Sequence, residues 1–405
     1  MKDDKILKVS EDVTWIGILD YDIVTFDIVM ETEYGTTYNS YFIDADKKTI
    51  IDTSKAKFRN SYLEKVKKVC NPEEISYIVL NHTEPDHSGN LAALLEMAPD
   101  AIVVGSGQAI KYLSDITDKE FKTRKVKDGD VIDLGNKTLR IIGAPNLHWP
   151  DSIYTYLEED KLLFTCDSFG AHYCDEKMFD DEIESYDEAF KYYFDVILRP
   201  FSKFMLKAIE KIKPLEINAI CPGHGPILRA EWKKYLDLSE KYAKEYLDKT
   251  NSLKNRVLIA YISAYGFTAE MAQNIFKGLG HAGDIEAELI DIETMSLGDM
   301  ESRLVQADAI IIGSPTINQN TLLPVYRFFS VVNPIRDKGK LASAFGSYGW
   351  SGEAVQLIQD HLANLKFKIA LDGLGEKFYP HNDKAEKFIA FGKEFGEKVL
   401  ESQKA

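Results

Sequence analysis

The sequence predicts two architectures in tandem: an α+β layered sandwich over residues 1–250, then an α/β doubly wound parallel sheet over residues 255–405. Three features carry this reading. In the first half, short β-type segments face each other across polar turns, with helical stretches between them. In the second, continuous apolar runs are each followed by a small-residue loop and a helical stretch, the grammar of buried parallel strands. Between the halves, Thr250-Asn251-Ser252-Leu253-Lys254-Asn255-Arg256 has no apolar period, which places the boundary there.

Residues 37–43 and 49–52 flank the charged turn 44–48 and predict a hairpin. Residues 131–134 and 139–142, joined through Gly135-Asn136, predict a second, and residues 153–157 and 162–165 a third. Helices are expected around residues 62–69, 91–97 and 204–212. Residues 231–249 read as a polar-faced helix with apolar positions at Tyr235, Leu236, Leu238 and Tyr242. Beyond the boundary, strands are expected at 257–261, 309–312 and 341–345, with a helix at about 269–279.

Composition narrows the function. The 405 residues are 45% hydrophobic and 28% charged, enough apolar material for sizeable cores. Lys and Arg number 49 against 65 Asp and Glu, a net charge of -16. That excess argues against nucleic acid, whose affinity rests on Lys and Arg, and against an anionic membrane surface. The cysteines Cys70, Cys166, Cys174 and Cys221 form no C-x-x-C pair, so a disulfide scaffold and a Cys-ligated metal domain are not expected. Met1-Lys2-Asp3-Asp4-Lys5 has no apolar core, and no apolar run reaches the roughly 18–20 residues of a bilayer span. A reduced, cytoplasmic protein is expected.

The strand expected at residues 75–80 ends in Asn81-His82-Thr83-Glu84-Pro85-Asp86-His87-Ser88-Gly89-Asn90, with four metal-donor side chains inside six residues. Pro85 bars a regular strand or helix interior. In an extended loop, alternation sends His82, Glu84 and Asp86 one way and His87 another, so one loop can serve two metals. Further donors follow other strand ends: His148 after Pro145, Asp167 after Thr165, and His224 in Cys221-Pro222-Gly223-His224-Gly225. Glycines beside His224 allow close backbone approach. Four imidazoles and three carboxylates without sulfur suit iron or manganese and leave zinc open. Asp167 is best placed to bridge two cations.

His82-x-Glu84-x-Asp86-His87, with His148, Asp167 and His224, resembles the dinuclear site of the metallo-β-lactamase fold. Zinc hydrolases of that fold usually carry histidine where this chain has Glu84. In that slot the chain resembles the flavodiiron proteins, and a carboxylate there hardens the site toward iron.

Ser263-Ala264-Tyr265-Gly266-Phe267-Thr268 joins the first strand of the second half to its helix. The Ser263 and Thr268 hydroxyls and the free N–H groups of a helix start can cradle a phosphate, with Gly266 allowing the tight turn. The loop is neither G-x-G-x-x-G nor a P-loop with its lysine, which weakens dinucleotide and ATP readings. The next strands end in Ser314-Pro315-Thr316-Ile317-Asn318 and in Ser347-Tyr348-Gly349-Trp350-Ser351-Gly352. All three loops belong at the carboxyl ends of parallel strands, where open α/β sheets bind ligands. Trp350 or Tyr348 could cover an isoalloxazine ring. Residues 257–400 resemble a short-chain flavodoxin that binds FMN.

The pairing resembles flavodiiron proteins over about residues 5–400. The resemblance implies a metallo-β-lactamase-like αββα sandwich followed by a flavodoxin-like sheet, with FMN and two iron ions per chain. It implies reduction of dioxygen to water or nitric oxide to nitrous oxide. His82, Glu84 and His148 would hold one iron and Asp86, His87 and His224 the other, with Asp167 bridging. The sequence leaves open whether His87 ligates and which gas is preferred. His172 and Tyr193 are candidate groups around the site, and residues 186–204 a candidate pocket wall. The resemblance further implies a head-to-tail homodimer, or a tetramer of such dimers. It implies a separate rubredoxin as electron donor, with a reduced deazaflavin coenzyme as the alternative. Lys254-Asn255-Arg256 is a candidate contact for an acidic rubredoxin. Two rivals stand beside this reading. A zinc hydrolase with a regulatory flavodoxin is disfavoured by Glu84. An FMN electron carrier with a vestigial metal site is disfavoured by the complete donor set.

Overall fold

Neighbouring apolar residues in the strands of the first half point to opposite faces, and that alternation builds its layers. The computed structural model describes residues 4–26, 30–252, 255–378 and 382–403, and the chain divides into two compact units, Met1–Tyr246 and Leu247–Ala405. In the first unit a seven-stranded sheet runs in the order Leu7–Lys8, Val13–Trp15, Tyr41–Ile43, Lys48–Ile51, Ile75–Val79, Ile102–Ser106, Thr123–Val126. A five-stranded sheet runs Val131–Asp133, Thr138–Gly143, Ile153–Leu157, Leu162–Cys166, Ala219–Pro222. Ile51, Val79, Val104, Ile141 and Leu162 meet in one core shared by the two sheets. Their neighbours Ile50, Ile78, Val103, Ile142 and Leu163 instead join the cluster holding Tyr62, Leu94, Phe190 and Ile209 of the covering helices. The result is the αββα sandwich expected from the sequence.

The hairpins at Val131–Asp133/Thr138–Gly143 and Ile153–Leu157/Leu162–Cys166 form with antiparallel register. The segment 37–43 does not stay one strand. Thr36–Tyr38 pairs with Ile18–Asp20 in a separate two-stranded sheet, while Tyr41–Ile43 pairs with Lys48–Ile51. Asn39 divides them: its amide nitrogen donates to Gly223 O, its side chain donates to Pro222 O and Gly225 O, and it accepts from Trp15 Nε1. A buried side chain so occupied turns the chain toward the His224 loop. The helices lie at Arg59–Val69, Leu91–Met97, Ser202–Ile212 and Trp232–Ser252. Leu253 and Lys254, inside the expected boundary stretch, lie outside the described residues.

The second unit holds one parallel sheet in the order Glu286–Asp291, Arg256–Tyr261, Ala309–Gly313, Leu341–Tyr348, with Lys368–Ile369 and Leu374–Lys377 both paired to the last of these. Numbered along the chain this is 2-1-3-4-5, the doubly wound order of flavodoxin-like sheets. Leu258, Ala260, Ile310 and Ile312 pack on one face, and Val257, Ile259, Ala309 and Ile311 on the other. Such two-sided burial is why those strands read as unbroken apolar runs. Glu286–Asp291 escaped the sequence reading because this edge strand is largely unburied and carries three acidic residues. Helix Phe267–Gly280 packs closely on helix Asn382–Ser402. A Cβ on Gly392 would lie 2.2 Å from Ile275 O, so only glycine permits that approach. Among the described residues, no helix is long and apolar enough to cross a membrane.

Candidate metal centre and flavin site

The strand Ile75–Val79 delivers His82 and Glu84, and Pro85 then opens a helical turn, Pro85–Ser88, at the first helical position where its missing N–H is harmless. This turn corrects the extended-loop expectation. Asp86 does not follow Glu84 but turns away with His87. His82, Glu84, His148 and Asp167 form one cluster of donor atoms, and Asp86, His87 and His224 form another. Asp167 joins the two. Its Oδ2 lies 3.1 Å from His148 Nε2 and 3.5 Å from His82 Nε2. Its Oδ1 lies 3.0 Å from His87 Nε2 and 3.4 Å from His224 Nε2. Glu84 Oε2 sits 3.2 Å from His82 Nε2 and 3.1 Å from His148 Nε2, and Asp86 Oδ2 sits 3.1 Å from His224 Nε2.

The surroundings aim these groups. His224 Nδ1 donates to Thr37 O at 2.5 Å, which leaves Nε2 to face the cluster. His82 Nδ1 is held by Asp151 at 3.2 Å. Gly223 lets the loop come close: a Cβ there would lie 2.8 Å from His87 Cε1. Asp151 and Thr37 were not found by sequence reasoning. Asp151, three residues after His148, had only the general rule that ligating imidazoles want a carboxylate behind them.

Charge is concentrated here. Burial opposes a cation on His82, but hydrogen bonds to Asp151 and Glu84 outweigh it and push the imidazole up to about 10. His148 rises to about 10 against burial, through Asp167 and Glu84, and His87 to about 9, through Asp86 and Asp167. Burial alone would raise the Glu84 and Asp167 carboxyls. The facing histidines instead hold both below the usual carboxylate range. His82, His148 and His87 therefore hold protons where cations would sit. Both oxygens of Asp86, both nitrogens of His87 and Oδ1 of Asp167 are buried and, although ion-pair neighbours lie 3.0–3.4 Å away, none of them makes a well-aligned hydrogen bond. Orphaned donors of this kind in a mixed imidazole and carboxylate set fit a pair of metal ions.

His172 and Tyr193 stand beside His224, at ring separations of 5.2 Å and 6.1 Å. His172 Nδ1 meets Thr36 Oγ1 at 2.9 Å, while its Nε2 and the Tyr193 hydroxyl are buried and unpartnered. Burial and the neighbouring His224 hold His172 well below its ordinary value, so it is neutral. Burial, then Asp167, pushes the Tyr193 phenol well above its ordinary value, so it keeps its proton. Of the aromatic segment 186–204, Phe201 also reaches the centre, 6.3 Å from His148 between ring centres.

In the second unit, Ser263, Tyr265 and Gly266 lie between strand Arg256–Tyr261 and helix Phe267–Gly280, which begins with Phe267 and Thr268. Ser314, Pro315, Thr316, Ile317 and Asn318 follow strand Ala309–Gly313. Ser347 and Tyr348 end strand Leu341–Tyr348, and Gly349, Trp350 and Gly352 lead to helix Glu353–Asn364. Hydrogen bonds draw the three loops together: Thr268 Oγ1 lies 2.9 Å from Ser347 Oγ, and Thr316 N donates to Ser347 O at 2.8 Å. Ser263 Oγ is buried without a partner, and no side chain caps the helix start at Gly266, whose φ is +85°. Those free donors fit a phosphate. Tyr265 and Trp350 are each 81% exposed at the rim, which fits a flat ring to be covered. The sequence reading missed Phe378. It is 57% exposed, donates from its amide to Tyr348 O, and would touch a Cβ on Gly349 at 3.6 Å.

Two family models match the chain: an "ODP family beta lactamase" over residues 36–225 and a flavodoxin over residues 259–392. A flavo-diiron protein of Clostridium acetobutylicum is 39% identical over 399 residues, covering 97% of this chain and 99% of the relative. A nitric oxide reductase of Moorella thermoacetica is 32% identical, covering 97% and 98%. The solved rubredoxin oxygen:oxidoreductase of Desulfovibrio gigas superposes with a TM-score of 0.72 at 27% identity, over 99% of this chain and 100% of that one. Two donor clusters sharing Asp167, a flavodoxin sheet with free phosphate donors and end-to-end similarity converge: the chain belongs to the flavodiiron protein family, whose cofactors are FMN and a diiron centre.

Proposed function

We propose that this oxidoreductase reduces dioxygen to water or nitric oxide to nitrous oxide, with one iron held by His82, Glu84 and His148 and the other by Asp86, His87 and His224. The observation that carries the reading is the division of the Asp167 carboxylate between the two donor clusters. A shared carboxylate lowers the repulsion between two cations. Bound iron supplies electrons and open coordination positions for the gas, and FMN releases the donor's electrons one at a time. Around it, Asp151 and the Thr37 carbonyl hold His82 and His224 in the ligating tautomer. Neutral His172 and protonated Tyr193 offer a buried imidazole and a buried phenol to the bound gas or its protons.

In the domain of residues 255–405, Ser263 and Thr268 would face the FMN phosphate. Tyr265, Tyr348 and Trp350 would flank its ring, and backbone groups of 314–318 would border it. The first domain, residues 1–250, would carry the iron. We extend the reading to a rubredoxin donor, with a deazaflavin coenzyme as the alternative, to a head-to-tail homodimer or tetramer, and to the cytoplasm. The activities named for the relatives from Moorella thermoacetica and Desulfovibrio gigas support the two gases and the rubredoxin. Arg256 is not a free contact for such a donor, because its guanidinium pairs with Glu286 at 2.6 Å. A zinc hydrolase is not favoured, since the full-length relatives are redox proteins.

The test is direct. Purified protein is analysed for metal and flavin, reduced anaerobically, and given dioxygen or nitric oxide with one electron donor. An iron pair and FMN with turnover of either gas is the expected result. Zinc in place of iron, or reduced flavin with neither gas consumed, would defeat the reading.

A further inference from the structure

We propose that Trp149 and Tyr112 form an electron-donating pair that relieves the metal centre of oxidising equivalents when dioxygen arrives and the flavin is already oxidised. The proposal rests on the oxygen-reducing reading above. The Trp149 indole stands edge-on to His82, with ring centroids 5.2 Å apart, and lies 6.4 Å from His148. Both imidazoles belong to the same donor cluster. Tyr112, on the helix Gly107–Thr117, lies 5.9 Å from the indole. Trp149 and Tyr112 are both partly exposed, so two ring-to-ring contacts lead from the donor cluster to solvent. Indole and phenol give up one electron far more readily than a phenyl ring. Phe201, which neighbours His148, and Phe26, which neighbours His224, therefore cannot serve. Tyr38 and Tyr193 neighbour His224, but both are buried, so an oxidised ring there would stay in the core.

The electron count supplies the need. Dioxygen takes four electrons and four protons to become two waters. A ferrous pair brings two electrons and reduced FMN the other two. With the flavin oxidised, the missing two come one each from Trp149 and Tyr112. The indole N–H and the phenol O–H each lose one electron and one proton, leaving neutral radicals, and solvent supplies the other two protons. Two nitric oxide molecules become nitrous oxide and water with only two electrons and two protons, which a ferrous pair satisfies alone. The pair is thus called on by dioxygen and not by nitric oxide.

The full holoprotein tests this. It is reduced anaerobically with two electrons per chain, its ferrous content is read by Mössbauer spectroscopy, and it is mixed with excess dioxygen. Freeze-quench electron paramagnetic resonance and peptide mass spectrometry read the products. The expected result is a tyrosyl signal that Tyr112→Phe removes, with oxygen added at Trp149 where a second molecule of the excess dioxygen combines with the indolyl radical. Neither is expected after nitric oxide, nor after reduction with four electrons. In Trp149→Phe the oxidation moves to His82 or His148. Ferrous iron consumed by dioxygen with Trp149 and Tyr112 untouched, or with oxygen added at Cys166 instead, overturns the pair. Ferrous iron that dioxygen leaves unoxidised overturns the oxygen-reducing reading itself, and the pair with it.

Discussion

Asp151 Oδ2 stands 3.2 Å from His82 Nδ1, and the same oxygen accepts from the Thr83 amide at 2.9 Å and the Thr83 hydroxyl at 2.8 Å. The carboxylate is fully buried and fixes both the tautomer and the tilt of the imidazole. Asp151→Asn keeps the shape and removes the charge. Metal affinity should fall about 10- to 100-fold, read by chelator competition on the ferrous protein. Unchanged affinity would show that Asp151 only supports the loop.

Glu84 is expected to set which metal the first cluster prefers. Its Oε2 faces both His82 and His148 at about the distance a shared cation needs. Glu84→His replaces a hard oxygen donor with imidazole. Reconstitution with equal iron and zinc should then shift toward zinc, measured by elemental analysis of the refilled protein. A ratio equal to that of the unaltered chain would remove Glu84 as the selecting group.

Protons and metal compete for the same atoms. In the apoprotein His82 and His148 titrate near 10 and His87 near 9, above the ordinary 6.5. Their raised values stabilise the apoprotein fully below about 6.5, and that contribution is lost as pH rises through 9 to 10. Metal takes neutral imidazole, so loading must release these protons. Apparent affinity should rise steeply between pH 6 and 9, by up to about tenfold per pH unit for each proton released. Calorimetry in buffers of different ionisation enthalpy counts the protons. Release of none at neutral pH would contradict the charged cluster.

The second unit depends on a close helix contact. Gly392→Ala puts a methyl 2.2 Å from Ile275 O and should cost about 1–3 kcal/mol of its stability, seen in urea unfolding followed by flavin release. Gly280→Ala meets nothing within 4 Å and is the control, expected to leave the midpoint unchanged or slightly raised. Equal effects of the two would deny the packing role of Gly392.

What the chain determined by itself was local. Connection grammar distinguishes the sandwich strands from the parallel ones, because 131–134 and 139–142, like 153–157 and 162–165, face each other across short polar turns, while the runs 257–261 and 309–312 each lead into a small-residue loop and a helix. Donor chemistry at strand ends named the histidines and carboxylates that converge, because ligand type and a rigid strand before the loop are properties of adjacent residues. Tertiary structure decided the rest. It turned Asp86 away from Glu84, since Pro85 begins a helical turn in place of an extended loop. It put Asp151 behind His82 and Thr37 behind His224, separated in sequence by 69 and 187 residues. It split residues 36–43 between two sheets at Asn39 and brought Phe378 to the flavin rim through pairing of Leu374–Lys377 with Phe345–Tyr348. Periodicity and donor type are set by near neighbours, whereas direction and partner depend on which strands pair, and spacing along a chain does not encode that pairing.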